Sequence, residues 1–470
     1  KDTSVTVVSI HTATNKSSHT AQNTTTELNG NDQPVARQRI YMLSAPDEPS
    51  LAHEVQALLA YLEEKVEPND EWMENLAYTL NECRPALLYR AIITADTVAK
   101  LKTRLSSRLK THKMSLAPVI GFVFTGQGAQ WPGMGKELLG LYPVFRRSME
   151  RANFYMRRLG APCDMIDEII KPNDTSRLSD PLLSQPICSA LQVALVDLLA
   201  SWRIYPNMED AITVAYFRGV CATNLVERRT RGAMMAVGMS DSDAVPYLEA
   251  LQTGKATVAC VNSPLSITVS GDEGAIVELE ANLRANKVFV QRLDIEAAYH
   301  SHHMDTIRGS YFDSIVHIRP LTAADIPVSR ATRTVQFFSS VSGHEAAPSE
   351  LGPAYWVENL AGQVKFVDAI RALCFGTRLP ETQSATNGQI SLTTLIEIGP
   401  HAALAGPISA DPAYSSVLIR SMDAASSCLN VAASLAGTGH SVNFQAINSP
   451  VSPHKRQFLD ELASNKTQTC

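Results

Sequence analysis

Val119-Ile-Gly-Phe-Val-Phe-Thr-Gly-Gln-Gly-Ala-Gln-Trp131 is the stretch on which the fold turns. Its first six residues form a near-continuous apolar run of strand length. Such runs suit strands buried on both faces of a parallel sheet, because a half-exposed strand would alternate. The run stops at Thr125-Gly-Gln-Gly128, where the glycines allow a tight turn at the strand's carboxyl end. In open α/β sheets ligands sit at that edge, and exposed backbone N–H groups there can cradle an oxyanion. The sequence thus predicts an α/β domain on a parallel sheet, with Gly126, Gln127 and Gly128 at its ligand edge.

Working outward, helical spacing marks Gly135–Leu141, Pro143–Leu159 and Pro186–Trp202. From Arg231 the order becomes strand Gly232–Met239, helix Ser242–Leu251, strands Thr257–Val261 and Ser266–Ser270, helix Asp272–Ala285 and strand Val288–Leu293. That β-α-β-β-α-β order is the ferredoxin-like signature, here an inserted subdomain over about 231–294. Beyond it the sequence predicts a helix over His302–Ile315, a strand over Val335–Ser342 and one helix over Tyr355–Cys374. A polar loop follows at Gly376–Asn387, then a strand and turn at Thr393–His401 and a helix at Ala424–Thr438.

Towards the amino terminus, Arg39–Ser44 and Arg90–Thr94 read as strands. A helix follows Pro49, with Ser50 as a candidate N-cap, and others cover Asn75–Leu80 and Asp96–Leu109. This is a small α+β unit over 39–115. Residues 1–38, rich in Ser, Thr and Asn, bury too little to offset their ordering entropy and read as a disordered tail or linker.

Composition narrows the function. Across 470 residues, 41 basic side chains face 47 acidic ones, a net charge of −6. A mildly acidic balance gives no general attraction for phosphate, which argues against nucleic acid as a partner. The longest apolar run, Ala190–Ala200, is broken by Gln192 and Asp197 and falls short of the roughly 20 residues of a membrane span. Eight scattered cysteines without a CxxC pair suggest reduced thiols in a cytoplasmic protein rather than a disulfide framework, and the Asn-x-Ser/Thr sequons read as chance. The first residue is Lys1, so the chain is expected to be cut from something longer.

Three places can carry chemistry. The first is the Gly126–Gly128 turn. The second is Tyr299-His-Ser-His-His-Met304, where one histidine could act as a general base near neutral pH. The spacing of His300, His302 and His303 does not match a helical metal pair, so no metal is expected. The bland alternative is a set of helix-start histidines with Ser301 as N-cap. The third is Arg218, after the apolar stretch Ile212–Phe217: either a fork for a carboxylate or a solvated helix end.

These stretches, with Ser184-Gln-Pro, Val261-Asn-Ser-Pro, Tyr355-Trp-Val-Glu-Asn-Leu and Glu397-Ile-Gly-Pro-His, resemble the acyltransferase domain of iterative type I polyketide synthases, the fungal reducing ones most. The resemblance implies a hydrolase-like α/β subdomain with the ferredoxin-like insert, over 116–412. It makes 39–115 the linker that follows the ketosynthase, and 413–470 the post-acyltransferase linker and tail. It implies transfer of malonyl from malonyl-CoA to an acyl carrier protein through an acyl-serine, with no cofactor beyond the CoA thioester. By position His300 matches the catalytic base, Gln127 the oxyanion-hole residue and Arg218 the clamp on the malonyl carboxylate. Gly126 and Gly128 belong to the oxyanion turn, and Asn262 and His401 line or support the cleft. Malonyl and methylmalonyl both remain open as substrates.

One part of that pattern is absent. The family's Gly-His-Ser-x-Gly nucleophile elbow should lie between the helix ending near Trp202 and the helix bearing Arg218. The chain instead reads Trp202-Arg-Ile-Tyr-Pro-Asn-Met-Glu-Asp-Ala-Ile212, and no Gly-x-Ser-x-Gly occurs anywhere in it. A strand, a turn and a helix, about 20–25 residues by ordinary element lengths, are missing. Pro206-Asn207 reads as the approach to the elbow strand and Met208 onward as the later helix, leaving a strained two-residue link. Such a loss is expected to leave a gap in the sheet or draw its neighbours together, and to leave no nucleophile for His300. The chain is then an inactive or truncated form of the domain, most simply from a lost coding segment. The other readings are a non-catalytic scaffold or binding remnant, and a hydrolase using His300 with a different nucleophile.

Overall fold

The structure is a computed structural model that describes residues 5–9, 37–65, 68–114, 120–126, 129–178, 180–202, 211–227, 231–293, 295, 297–320, 335–375, 392, 394–404, 406, 408, 418–422, 425–450 and 459. The strands are β1 Val5–Ser9, β2 Arg39–Ala45, β3 Tyr89–Ala95, β4 Thr111–Lys113, β5 Ile120–Phe124, β6 Gly232–Val237, β7 Ala256–Ser263, β8 Ser266–Asp272, β9 Val290–Arg292, β10 Val335–Ser339, β11 Glu345–Ala346, β12 Thr394–Ile398 and β13 Leu418–Met422. They form three sheets.

The central sheet runs β11-β10-β1-β5-β12-β13, parallel throughout except for β11 at one edge. All five residues of β5 and of β12 are buried, including the polar Thr394 and Glu397 of β12. Alternate side chains serve opposite layers. Phe122, Phe124, Ile396 and Ile398 pack into a core with the helices Pro143–Arg158, Pro181–Ser201 and Ala425–Thr438. Val123 and Leu395 pack into a second core with the helices Arg308–Ile315, Pro353–Ala361 and Phe366–Phe375.

The insert has the strand order β7-β8-β6-β9, all antiparallel, with helices Asp241–Glu249 and Glu273–Ala285. That is the expected ferredoxin-like topology. The amino-terminal unit is the antiparallel sheet β2-β3-β4 with helices Glu48–Glu63, Asp70–Glu82 and Val98–Ser106. Its first helix is capped by Asp47, which accepts from Ser50 N–H, rather than by Ser50. The chain's later part returns to this unit. Arg90 Nη1 donates to Ala436 O at 2.6 Å, and Asn448 exchanges hydrogen bonds with the Ile40 backbone.

Four expectations change. Within residues 1–38, read as disordered, Val5–Ser9 forms β1 and pairs with β5 on one side and β10 on the other. The sheet therefore neither gaps nor closes up beside β5, because a segment from the amino terminus lies there. The link between the flanking helices is not two residues: Pro181–Ser201 ends and Ala211–Glu227 begins with 202–210 between them, and 203–210 lie outside the described residues. Tyr355–Cys374 is two helices, Pro353–Ala361 and Phe366–Phe375, broken at Gly362–Lys365. And the apolar run at Ala190–Ala200 belongs to a 21-residue helix, Pro181–Ser201, long and apolar enough to span a bilayer but mostly buried in the first core. The Gly376–Asn387 loop also lies outside the described residues.

Candidate active site

The Gly-rich turn is anchored before it is used. Thr125 N–H donates to Ile398 O at 3.0 Å, carrying the β5–β12 pairing one step past the strand ends. Gln192, the polar break in the apolar helix, donates its Nε2 to Thr125 O at 2.6 Å and also reaches Ile398 O. Thr125 Oγ1 donates to the buried carboxylate of Glu397 at 3.2 Å. The same Glu397 oxygen accepts from Ala403 and Leu404 N–H at 2.6 and 2.8 Å. A side chain on Gly399 would come within 2.2 Å of Thr125 Oγ1, so only glycine fits where these two loops meet. Trp131 Nε1 donates to Pro400 O at 2.9 Å, just before the half-buried His401. The Glu397-Ile-Gly-Pro-His stretch thus holds Thr125 and Trp131 on either side of the turn. Gln127 and Gly128 lie outside the described residues.

His300 is buried and sits at φ +59°, a left-handed conformation that non-glycine residues adopt only when neighbours hold it there. Its Nδ1 lies 2.8 Å from Gly362 O. A carbonyl can only accept, so Nδ1 carries the hydrogen and Nε2 keeps its lone pair. Burial, and then the nearby Arg218 cation, push its pKa down to about 3. His300 is therefore a neutral base with one nitrogen fixed and the other open. Its neighbour Tyr299 is held by Gln185 of the Ser184-Gln-Pro stretch, whose Nε2 donates to the Tyr299 hydroxyl at 3.0 Å.

Arg218 is not a solvated helix end. It lies inside the helix Ala211–Glu227 with 4% exposure. Gly219 lets that helix approach the Pro181–Ser201 helix so closely that a Cβ would meet Pro181 O at 2.6 Å. Arg218 Nη1 donates to Asn359 Oδ1 at 2.7 Å, while its buried Nε has no partner among the described residues. Burial lowers its pKa from the ordinary arginine range, yet the guanidinium remains cationic. A buried cation held by a neutral amide has charge to spare for an anion.

Asn359 is the residue the sequence reading left without a role, though it lies in the quoted Tyr355-Trp-Val-Glu-Asn-Leu stretch. Asn262 donates to Thr268 Oγ1 at 3.0 Å, and its Oδ1 is buried without a partner. His302 and His303 do not join Arg218; they hydrogen-bond Asp272 of the insert. Ser301 does cap the following turn, accepting from His303 N–H. An open cleft of about 570 Å3 reaches His300 between Lys255 and Thr257 of the insert and Ala361 and Gln363 of the helix break. Gly362 O is the hydrogen-bond partner that His300 has among the described residues, and no hydroxyl addresses it. The chain's one Gly-His-Ser, at 439–441, continues Val-Asn and follows the helix Ala425–Thr438, with Ser441 exposed.

Comparison with known proteins gives the family. The family profile described as the acyl transferase domain matches residues 121–208 and 206–410, well over half the chain. The chain belongs to the acyl transferase domain family. The two matched ranges meet at 206–208, where the sequence reading expected the elbow. A second profile, described as CurL-like, PKS C-terminal, matches 39–105.

Among relatives, the acyl transferase domain is similar to the highly reducing polyketide synthase phiA of a fungal species, 41% identical over 88% of this chain and 17% of the relative. It is also similar to the highly reducing polyketide synthase tstA of Talaromyces stipitatus, 36% identical over 96% of this chain and 19% of the relative. The chain thus spans about a fifth or less of the length of these curated relatives. The Talaromyces alignment runs over 491 positions, longer than the chain itself, so that relative carries residues opposite gaps here. Among solved structures, the acyltransferase domain from module 8 of the salinomycin polyketide synthase matches with a TM-score of 0.72 at 22% identity, over 87% of this chain and 98% of that one. The fold is therefore the α/β acyltransferase fold.

Proposed function

We propose that this acyl transferase domain binds the malonyl thioester of CoA and that the chain as it stands stops at binding. The observation that carries the reading is a pair of buried groups: Arg218, cationic and without a partner at Nε among the described residues, beside His300, neutral, held through Nδ1 and reached by the cleft. A carboxylate-bearing acyl group matches the first, and a proton to be removed matches the second.

In the complete reaction a serine Oγ would attack the thioester carbonyl while its proton passes to His300 Nε2. The oxyanion would be met by the turn at Gly126, Gln127 and Gly128, with Asn262 and His401 supporting the cleft. CoA would leave as its thiol, taking that proton from His300, and the phosphopantetheine thiol of an acyl carrier protein would accept the malonyl group by the reverse steps. Every group needed is an ordinary side chain or backbone amide, so the reading calls for no cofactor. The partners are malonyl-CoA, the carrier protein and the remaining domains of a polyketide synthase, in the cytoplasm.

The missing Gly-His-Ser-x-Gly serine sets this chain apart, and it favours the reading of a domain that binds without turnover. The test is incubation of purified protein with malonyl-CoA, followed by intact-mass measurement and calorimetry. The expected result is binding tighter than that of acetyl-CoA, with no malonyl adduct. A serine-linked malonyl adduct formed at ordinary transferase rates would refute the arrest, and equal binding of the two thioesters would refute the Arg218 clamp. Slow release of CoA without any carrier protein would point instead to the hydrolase.

A further inference from the structure

We propose that Asp272, His302 and His303 form a site for a borderline divalent cation of the zinc, cobalt or nickel class. Sequence spacing could not give it. The two histidines are adjacent, and the third donor lies thirty residues upstream, on the ferredoxin-like insert.

Both imidazoles converge on one carboxylate oxygen. His303 Nε2 lies 2.7 Å and His302 Nε2 3.1 Å from Asp272 Oδ1, and the three donor atoms fall within 4.8 Å of one another. Ion-to-ligand bonds of about 2.0–2.2 Å place tetrahedral donors about 3.3 Å apart, so the groups need move only slightly to admit an ion. Two imidazole nitrogens and one carboxylate oxygen suit the borderline metals over calcium or magnesium.

The carboxylate is built for the task. Asp272 stands at the start of the helix Glu273–Ala285 yet does not cap it. Its Oδ2 accepts instead from Lys255 N–H at 2.7 Å, which fixes the other oxygen toward the histidines. Burial opposes its ionisation, but the Lys255 amide and the two imidazoles outweigh that and hold its pKa low, so the ligand is anionic. His303 is buried and His302 is exposed, which leaves the remaining coordination positions to water.

Coordination through Nε2 moves each neutral ring's hydrogen to Nδ1. In His303 that nitrogen is buried and has no partner among the described residues, which limits affinity. An ion here would tie the insert to the segment bearing His300, two residues from His302.

The experiment is zinc titration by calorimetry on the full chain, repeated on His302→Ala and Asp272→Asn. Expected is one ion per chain, bound at least tenfold more weakly by each variant. Absence of zinc binding by the unaltered chain, or its full retention in either variant, would overturn the site. The His302 side chain is exposed, so His302→Ala is decisive alone should Asp272→Asn fail to fold, and its circular dichroism should be unchanged.

Discussion

Arg218 Nη1 donates to Asn359 Oδ1 at 2.7 Å, across 141 residues of sequence. The amide holds the guanidinium without neutralising it. Asn359→Asp keeps the shape and adds a charge, so Arg218 becomes half of an internal ion pair. Charged hydrogen bonds contribute about 1.5–3 kcal/mol, so malonyl-CoA should bind roughly 10- to 100-fold more weakly, with acetyl-CoA nearly unaffected. Calorimetry with both thioesters checks this; equal losses for the two would remove the clamp from the account.

His300 should make stability depend on pH in a defined sense. Its pKa is about 3 in the folded chain, against about 6.5 when unfolded. Below 6.5 the unfolded state binds the extra proton, so the contribution is complete above that value and is lost progressively as pH falls toward 3. The slope approaches about 1.4 kcal/mol per pH unit. His300→Asn, a residue that tolerates a left-handed backbone, should flatten the profile between pH 6.5 and 4 in urea unfolding. An unchanged slope would place the titration elsewhere.

Glu397 should matter to folding more than to chemistry. Its one oxygen serves Thr125, Ala403 and Leu404. Glu397→Ala leaves buried donors unsatisfied at about 1–3 kcal/mol each, a total of about 3 kcal/mol or more. Glu397→Gln keeps an acceptor and should lose less than half as much. Denaturation midpoints for the two variants separate these outcomes.

Supplying the elbow should restore chemistry. A segment encoding a strand, Gly-His-Ser-x-Gly and a helix, inserted between Asn207 and Met208, should yield a malonyl-serine adduct that depends on His300. Sequencing the transcript across those two codons asks the same question of the gene. If the segment is encoded there, the parent is an ordinary transferase; if the junction is real, acyl transfer must come from another protein.

The borrowed strand gives a further prediction. Val7→Pro removes a backbone donor from β1, which is paired on both sides. It should lower the melting temperature by several degrees and promote aggregation through the exposed edges of β5 and β10. No change in either would mean that β1 contributes nothing to the sheet.

The large features were legible because each left a local pattern. An apolar run marked β5, a strand running into a Gly-Pro turn marked β12, and alternation with short helices marked the ferredoxin-like insert. His300 stood out within a cluster of three histidines, and Arg218 as a cation after an apolar stretch. What stayed hidden depends on pairing across long separations. Asn359 is a plain helix residue until Arg218 arrives from 141 positions away. The break at Gly362 lies inside a stretch whose apolar residues fit a single helix. β1 lies in a polar tail, and its partners are 115 and more residues distant.

That break has a mechanical consequence. Gly362 O orients His300, while Val364 and Ala259 on β7 hydrogen-bond through their backbones and Gln363 donates to Val258 O. Three consecutive residues therefore register both the base and the insert. The end of β5 at Thr125 answers to a different set, Glu397 and Gln192. The molecule has two frames of reference, one carrying His300 and one carrying the end of β5. Any ligand that touched both His300 and the Gly126 edge would therefore depend on how the two frames sit along the seam between them, rather than on any one residue.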